Sequence, residues 1–336
     1  MFDIKSYRKT YNFTFANLKD ISKVKNSIGI VDKKVFTLYE PLLEGKFDEL
    51  CIIEAAEENK TINYCLTLID HLCDIGVKKN TTLVAVGGGI TQDVTSFIAS
   101  ILFRGISWSF IPTTLLAQAD SCIGSKTSIN HNNIKNLVGS FYPPDNIWCD
   151  PKLLDSLEDS DIDSGIGEML HYFMLNNSEC LTRIDKDNLQ ECIAESLRIK
   201  KDMIERDEFD ENERILFNYG HTFGHAIESI SSYEVKHGLA VTLGMHIANY
   251  VSFRLGHINE ATLTYLQSCI EFNLPDFFVS DVDEYVSKLL KDKKNVNSSL
   301  VCILPYGIGE YKVTELSDIN HLTTILKDYF NERQPK

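Results

Sequence analysis

Apolar and polar positions follow two different rhythms along this chain. In the first 150 residues, short β-branched or apolar runs, SIGIVD (27–32), TTLVAV (81–86) and SWSFIP (107–112), are bounded by polar or glycine-bearing segments, as strands are. Between them, TINYCLTLIDHLCDIG (61–76) and DVTSFIASILFRG (93–105) show helical patterns. This order predicts a parallel sheet with crossover helices. After about Asp150 the texture changes to long amphipathic stretches. From Asn188 to Arg206, Leu189, Ile193, Leu197 and Ile204 fall on one helical face, and Asn188-x-x-Glu191 is a capping pattern for its start. Two domains are expected: α/β over residues 1–150 and mainly α-helical over residues 151–336, with the cleft between the halves a natural ligand site. There is no internal repeat, low-complexity tract or Pro-rich linker.

Composition narrows the function. With 336 residues and 43% hydrophobic content, each half can bury its own core. A net charge of −15 argues against a nucleic-acid binder, which needs a basic face to displace counterions. Nine cysteines stand singly with no C-x-x-C pair, the usage of reduced core thiols in a cytoplasmic protein. The N-terminus, MFDIKSYRKTYNF, has no signal-peptide core, and no apolar run approaches the roughly 18 residues of a membrane span.

Candidate chemistry then concentrates in a few places. TTLVAV runs into Gly87-Gly88-Gly89 before a helical pattern beginning near Thr91 and Asp93. Such glycines either make a tight turn or let backbone approach a pyrophosphate at a helix N-terminus. Pro112-Thr113-Thr114 follows SWSFI and either caps a helix or offers two hydroxyls at the sheet's carboxyl edge. His221 and His225 lie four apart on one helical face, with His237 nearby, a pattern for metal binding or acid–base work. Thr222 stands where a zincin needs Glu, so metalloprotease chemistry is disfavoured and a carboxylate ligand must come from elsewhere. Glu168, on an otherwise apolar helical stretch, is the candidate, since a buried carboxylate needs a partner charge. Arg104, Lys126 and Lys135 sit in uncharged surroundings and suit a small, multiply charged anion as well as a solvated surface.

Taken together, these segments resemble the 3-dehydroquinate synthase family, from about Asp32 to Gly309. The motifs recur in order: GGG-x-x-x-D from Gly87 to Asp93, and RG-x-x-x-x-x-IPTTLL-x-Q-x-DS-x-x-G-x-K-x-x-IN from Arg104 to Asn130. KN-x-x-G-x-F-x-P, SG-x-x-E, N-x-GH-x-x-GHA-x-E, HG-x-A-x-x-x-GM and DKK follow.

That resemblance implies a Rossmann-like N-terminal domain and a helical, metal- and substrate-binding C-terminal domain. NAD is then expected against Asp32, Glu57, Lys60, Gly87, Gly88, Gly89, Asp93, Thr113, Thr114, Lys135 and Ser156. Zinc or cobalt would be held by Glu168, His221 and His237, leaving His225 for proton traffic, with Asp210, Lys126 and Asp120 as further catalytic groups. Substrate would meet Lys126, Lys135, Asn136, Lys293, Lys294 and Arg104, the last across a homodimer interface. Its carboxylate would meet Lys200, Arg214 and Asn218.

Several positions depart from the family pattern. His171 replaces a substrate-facing lysine, Asp210 a glutamate, Gln92 the glycine before Asp93, and Ala56 the glycine before Glu57. The implied activity is a carbon–oxygen lyase that converts 3-deoxy-arabino-heptulosonate 7-phosphate to 3-dehydroquinate and phosphate, as in the shikimate pathway of aromatic amino acid biosynthesis. A sister cyclase for another sugar-acid phosphate is the alternative. A metal-dependent alcohol or glycerol dehydrogenase, which would reduce NAD in net terms, is a third.

Overall fold

The computed structural model describes residues 1–132, 134–182, 184–185, 188–290 and 299–333. The chain forms two compact units: residues Met1–Leu157 with Lys200–Phe209, and residues Glu158–Ile199 with Asp210–Lys336.

The first unit carries β1 (Phe2–Lys5), β2 (Thr10–Phe15), β3 (Ser27–Asp32), α1 (Lys33–Leu43), β4 (Glu49–Ile53), α2 (Ile62–Asp74), β5 (Thr82–Gly87) and α3 (Gly89–Ile101). It continues with β6 (Trp108–Pro112), β7 (Lys126–His131), β8 (Ile134–Phe141) and β9 (Asn146–Cys149). Seven strands form one sheet in the order β1-β2-β9-β6-β5-β3-β4, parallel except for the β1–β2 pair. Strands β3 and β5 read as unbroken apolar runs because the middle of a parallel sheet is covered on both faces; Ile30, Val31, Val84, Ala85 and Val86 have no exposed surface. From β3 the chain places β4 on one side and β5 on the other. The direction of winding therefore reverses between β3 and β5, and their carboxyl ends, Asp32 and Gly87, flank that switch point, where ligands of open α/β sheets bind.

Helix α3 begins at Gly89, two residues before the sequence-expected start, with Gly88 as its N-cap and no capping side chain. A Cβ at Gly87 would stand 2.3 Å from Thr91 Oγ1, so the first glycine lets α3 pack closely on its strand. β7 and β8 form a separate two-stranded ladder.

The second unit is mainly helical: α4 (Asp159–Asn176), the first part of α5 (Leu189–Ile204), α6 (His221–Ile230), α7 (His237–Arg254), α8 (Glu260–Ser268), α9 (Val282–Leu290) and α10 (Ile319–Glu332). An antiparallel pair, β10 (Leu300–Gly307) and β11 (Glu310–Leu316), completes it and was not visible as strands in the sequence. The division between the units falls inside α5, at Lys200. At the start of α5 the expected Asn188–Glu191 capping box is replaced by a reciprocal pair three residues earlier. The Asn188 side-chain oxygen accepts the Asp185 N–H at 3.1 Å, and the Asp185 carboxylate accepts the Asn188 N–H at 3.1 Å.

Helix α7 is apolar nearly all round because α4, α6, α8, α10 and β10 pack against it. Its crossing with α4 is backbone to backbone: a Cβ on Gly238 would lie 1.7 Å from the Ser164 carbonyl oxygen, and one on Gly167 would lie 2.0 Å from that of Gly238. Each glycine adjoins a chemistry-bearing residue, Glu168 after Gly167 and His237 before Gly238. All nine cysteines are free thiols, seven of them buried. Among the described residues no helix is long and apolar enough to cross a membrane.

Candidate functional site

In the second unit, the α4–α7 and α6–α7 packing brings Glu168, His221 and His237 together, each offering one donor atom within 4.8 Å of the others. His221 Nε2 is 3.5 Å from Glu168 Oε1, and His237 Nε2 is 3.4 Å from Glu168 Oε2. Glu168 is 5% exposed, and its Oε2 has no hydrogen-bond partner among the described residues. A buried carboxylate oxygen in that state is costly unless a cation meets it. Burial alone would raise the Glu168 carboxyl, but the attraction of His221 and then His171 carries it well below the usual carboxylate range. Burial lowers the His237 imidazole, and its contacts with Glu168 and then Glu228 outweigh that and raise it to about 10. Two imidazole nitrogens and one carboxylate oxygen suit zinc or cobalt, with room for a further ligand, so the residues fit the metal that the family pattern implies.

Outer contacts orient the two imidazoles. His221 Nδ1 lies 3.3 Å from the Tyr219 carbonyl oxygen, and His237 Nδ1 lies 3.2 Å from Glu228 Oε2. His225, Glu228 and His237 form a second group of donors. We read it as the support of the first, because a ring that coordinates through Nε2 keeps its Nδ1–H for the carboxylate behind it. The His225 ring centroid is 5.6 Å from that of His221 and 5.9 Å from that of His237, beside the three ligands. Glu228, which closes the motif N-x-GH-x-x-GHA-x-E, was given no role from the sequence. Its signal was present, a Glu three residues after His225 on one helix face, but that spacing is common on exposed helices.

In the first unit, Glu57, Lys60, Asp93 and Asn136 are drawn into one network. Lys60 Nζ meets Asp93 Oδ2 at 2.5 Å and Asn136 Oδ1 at 2.6 Å. Ser128 joins it, donating its N–H to Asp93 at 3.2 Å and its hydroxyl to Asn136 at 3.0 Å. Burial raises the Asp93 carboxyl despite the Lys60 ammonium beside it. Asn130, also absent from the sequence-based set, ties the network together: its amide donates to Glu57 Oε1 at 2.8 Å and its oxygen accepts the Asn136 N–H at 2.9 Å.

The remaining candidates are placed as follows. At the carboxyl edge of the sheet, Asp32 caps α1 through the Lys34 N–H, and Thr113 N–H donates to the Gly87 carbonyl at 2.9 Å. Thr114 Oγ1 accepts the Ala117 N–H at 3.3 Å. A Cβ on Gly89 would meet nothing closer than 4.0 Å, so the first turn of α3 stays open to a pyrophosphate, and the edge fits a dinucleotide. Ser156 is bonded to Tyr39 at 2.9 Å. Asp120 lies in a π-helical turn, Ala117–Ser121, and accepts from Lys200 Nζ at 2.6 Å. Arg104 is exposed at the end of a 3-10 turn, Lys126 is exposed at the start of β7, and Lys135 is half-buried in β8. In the second unit, Arg214 and Asn218 share a 3-10 turn, Glu213–Asn218, and Asp210 holds a left-handed conformation at φ +63°. His171, on α4, has no exposed surface. Lys293 and Lys294 lie outside the described residues.

Comparison with known proteins accords with this geometry. Residues 50–164 match the family model for the 3-dehydroquinate synthase N-terminal part, and residues 165–295 that for its C-terminal part. A 3-dehydroquinate synthase of Dictyoglomus thermophilum is 33% identical over 338 residues, covering 96% of this chain and 91% of that protein. Among solved structures, 2-deoxy-scyllo-inosose synthase complexed with carbaglucose-6-phosphate, NAD+ and Co2+ superposes with a TM-score of 0.88 at 24% identity, over 97% of this chain and 99% of the other. The 2-epi-5-epi-valiolone synthase of Streptomyces hygroscopicus, with NAD+ and Zn2+ bound, superposes with a TM-score of 0.84 at 22% identity, over 96% and 97% of the two chains. At these identities the two structures speak to the fold.

Proposed function

The chain belongs to the 3-dehydroquinate synthase family, and on that premise we propose that it is an NAD- and divalent-metal-dependent sugar phosphate cyclase converting 3-deoxy-arabino-heptulosonate 7-phosphate to 3-dehydroquinate and phosphate. The observation that carries this reading is the trio Glu168, His221 and His237, built on the buried Glu168 carboxylate, with His225 beside it. When bound, the metal supplies a Lewis acid for a substrate oxygen and NAD a reversible hydride acceptor, without net consumption.

The chain's own residues do the rest. Glu168, His221 and His237 hold the metal. Asp32, Glu57, Lys60, Gly87 to Gly89, Asp93, Thr113 and Thr114 hold NAD. Lys126 and Asn136 take the substrate phosphate, with Arg104 reaching it from a second copy of the chain, so that the leaving group's charge is met by fixed cations and donors. Lys200, Arg214 and Asn218 take the substrate carboxylate. His225 carries a proton to and from the sugar, a role suited to an imidazole, which can both donate and accept one.

The test is phosphate release from that substrate with NAD and zinc or cobalt present, with the carbocycle identified by mass spectrometry. Turnover without NADH accumulation, lost in His221→Ala, is expected. A folded, metal- and NAD-loaded protein that releases no phosphate rejects the substrate. Asp210, one methylene shorter than the family's glutamate, favours a second reading, a sister cyclase for another sugar-acid phosphate, which the same assay with alternative substrates decides.

A further inference from the structure

We propose that His171 is a positioning residue for the metal centre, set behind Glu168, and that it does not meet substrate. This rests on the metal reading above. A ligand's outer partner sets its orientation and basicity, and two of the three ligands already have one: His221 the Tyr219 carbonyl, and His237 the Glu228 carboxylate. Glu168 has His171 in the equivalent place. The two are three residues apart on α4, hence on one face, and His171 Nδ1 is 3.9 Å from Glu168 Oε1. At that distance the contact is electrostatic, and a shift of about 0.7 Å brings it into hydrogen-bond range.

The surroundings of His171 hold it against the proposed ligands. The side chain is 1% exposed. Tyr172 packs at 3.9 Å between ring centroids, and the His221 and Phe217 rings stand nearly perpendicular at 5.2 and 6.0 Å. Phe217 in turn meets Tyr172 at 4.6 Å, so the imidazole is packed among aromatic rings on the side of Glu168 and His221. Such packing fixes a rotamer, as an orienting group requires. A consequence is that the exchange of the family's lysine for His171 alters the support of the metal and does not by itself point to a different substrate.

The test compares wild type with His171→Leu, His171→Asn and His171→Gln as metal-free proteins. Cobalt affinity is read by competition with a chelator, and ligand geometry by the visible spectrum of bound cobalt. His171→Leu is expected to bind cobalt about 10–100-fold more weakly with an altered spectrum. His171→Asn, which returns a donor near the Nδ1 position, is expected to recover most of the affinity. At saturating cobalt the substrate KM stays near that of wild type. His171→Gln, polar but with its donor displaced, gives the same reading where the leucine variant does not fold. Equal cobalt affinity in wild type and His171→Leu, or a raised KM at saturating metal, overturns the inference alone. Wild-type protein that binds no cobalt overturns the metal reading and this inference with it.

Discussion

The imidazole of His237 faces the carboxylate of Glu228 across 3.2 Å, Nδ1 to Oε2. The contact fixes which nitrogen keeps the proton, and so leaves Nε2 for coordination. On the metal reading proposed above, Glu228 supports the site through His237. Glu228→Gln keeps the shape and removes the charge, so the metal affinity is expected to fall about 10–100-fold. Chelator competition measures it. An unchanged affinity would show that Glu228 serves α6 and not the ligand.

Gly238 makes the α4–α7 approach possible, and with it the meeting of Glu168 and His237. A methyl group there would lie 1.7 Å from the Ser164 carbonyl oxygen, a backbone atom that cannot swing aside. Gly238→Ala is expected to destabilise the protein by about 1–3 kcal/mol or more, the range for overpacking. Metal affinity should fall in the same variant, because the helices can separate only by parting Glu168 from His237. Urea unfolding and cobalt titration check the two effects, and a stable variant that binds metal normally would mean that the crossing tolerates a wider spacing.

Much of this arrangement was legible in the sequence, and for identifiable reasons. β3, β5 and β6 announced themselves because the middle of a parallel sheet demands unbroken apolar runs. The His221–His225 spacing marked its helix face directly. Other features depend on contacts between residues far apart in the chain. Asn130 is an unremarkable polar residue until β7 carries it to Glu57 and Asn136. His171 stands out in the sequence as a departure from the family's lysine, but its packing against Tyr172 and Phe217 is visible only in the fold. β11 alternates polar and half-buried positions, EYKVTEL, with too few apolar residues to stand out from a loop. The early start of α3 follows from Gly88, since a glycine N-cap offers no side-chain signal to read.

Lys60 and Asp93 form a nearly buried pair, their side chains 7% and 19% exposed. Removing only the cation leaves a carboxylate that burial already pushes upward in pKa. Lys60→Met is therefore expected to cost about 3 kcal/mol. Adding Asp93→Asn should restore more than half of that, since the uncompensated charge is gone, and a double-mutant cycle by urea unfolding gives the coupling. NAD affinity is expected to drop in both variants, which stability alone would not produce. Independent, additive losses would remove the pair from the account.

His246 supplies the acid limit of stability. Its Nδ1 lies 2.8 Å from the Tyr329 hydroxyl. Burial, and secondarily Arg333, push the imidazole from its ordinary value near 6.5 down to about 3. The unfolded chain therefore takes up a proton below 6.5 that the folded chain refuses until about 3, so this contribution is complete above 6.5 and is lost as pH falls toward 3. The slope from this one group can reach about 1.4 kcal/mol per pH unit. Between 6.5 and 4.5, comparison with a His246 variant separates this contribution from that of carboxylates such as Asp93 that burial raises. Urea unfolding at several pH values through that interval, in wild type and in His246→Gln, isolates the term: the wild-type free energy should fall with acid and that of the variant should stay flatter. Parallel curves would mean that the folded protein accepts the proton after all, by opening α10 from α7 and admitting water to the ring.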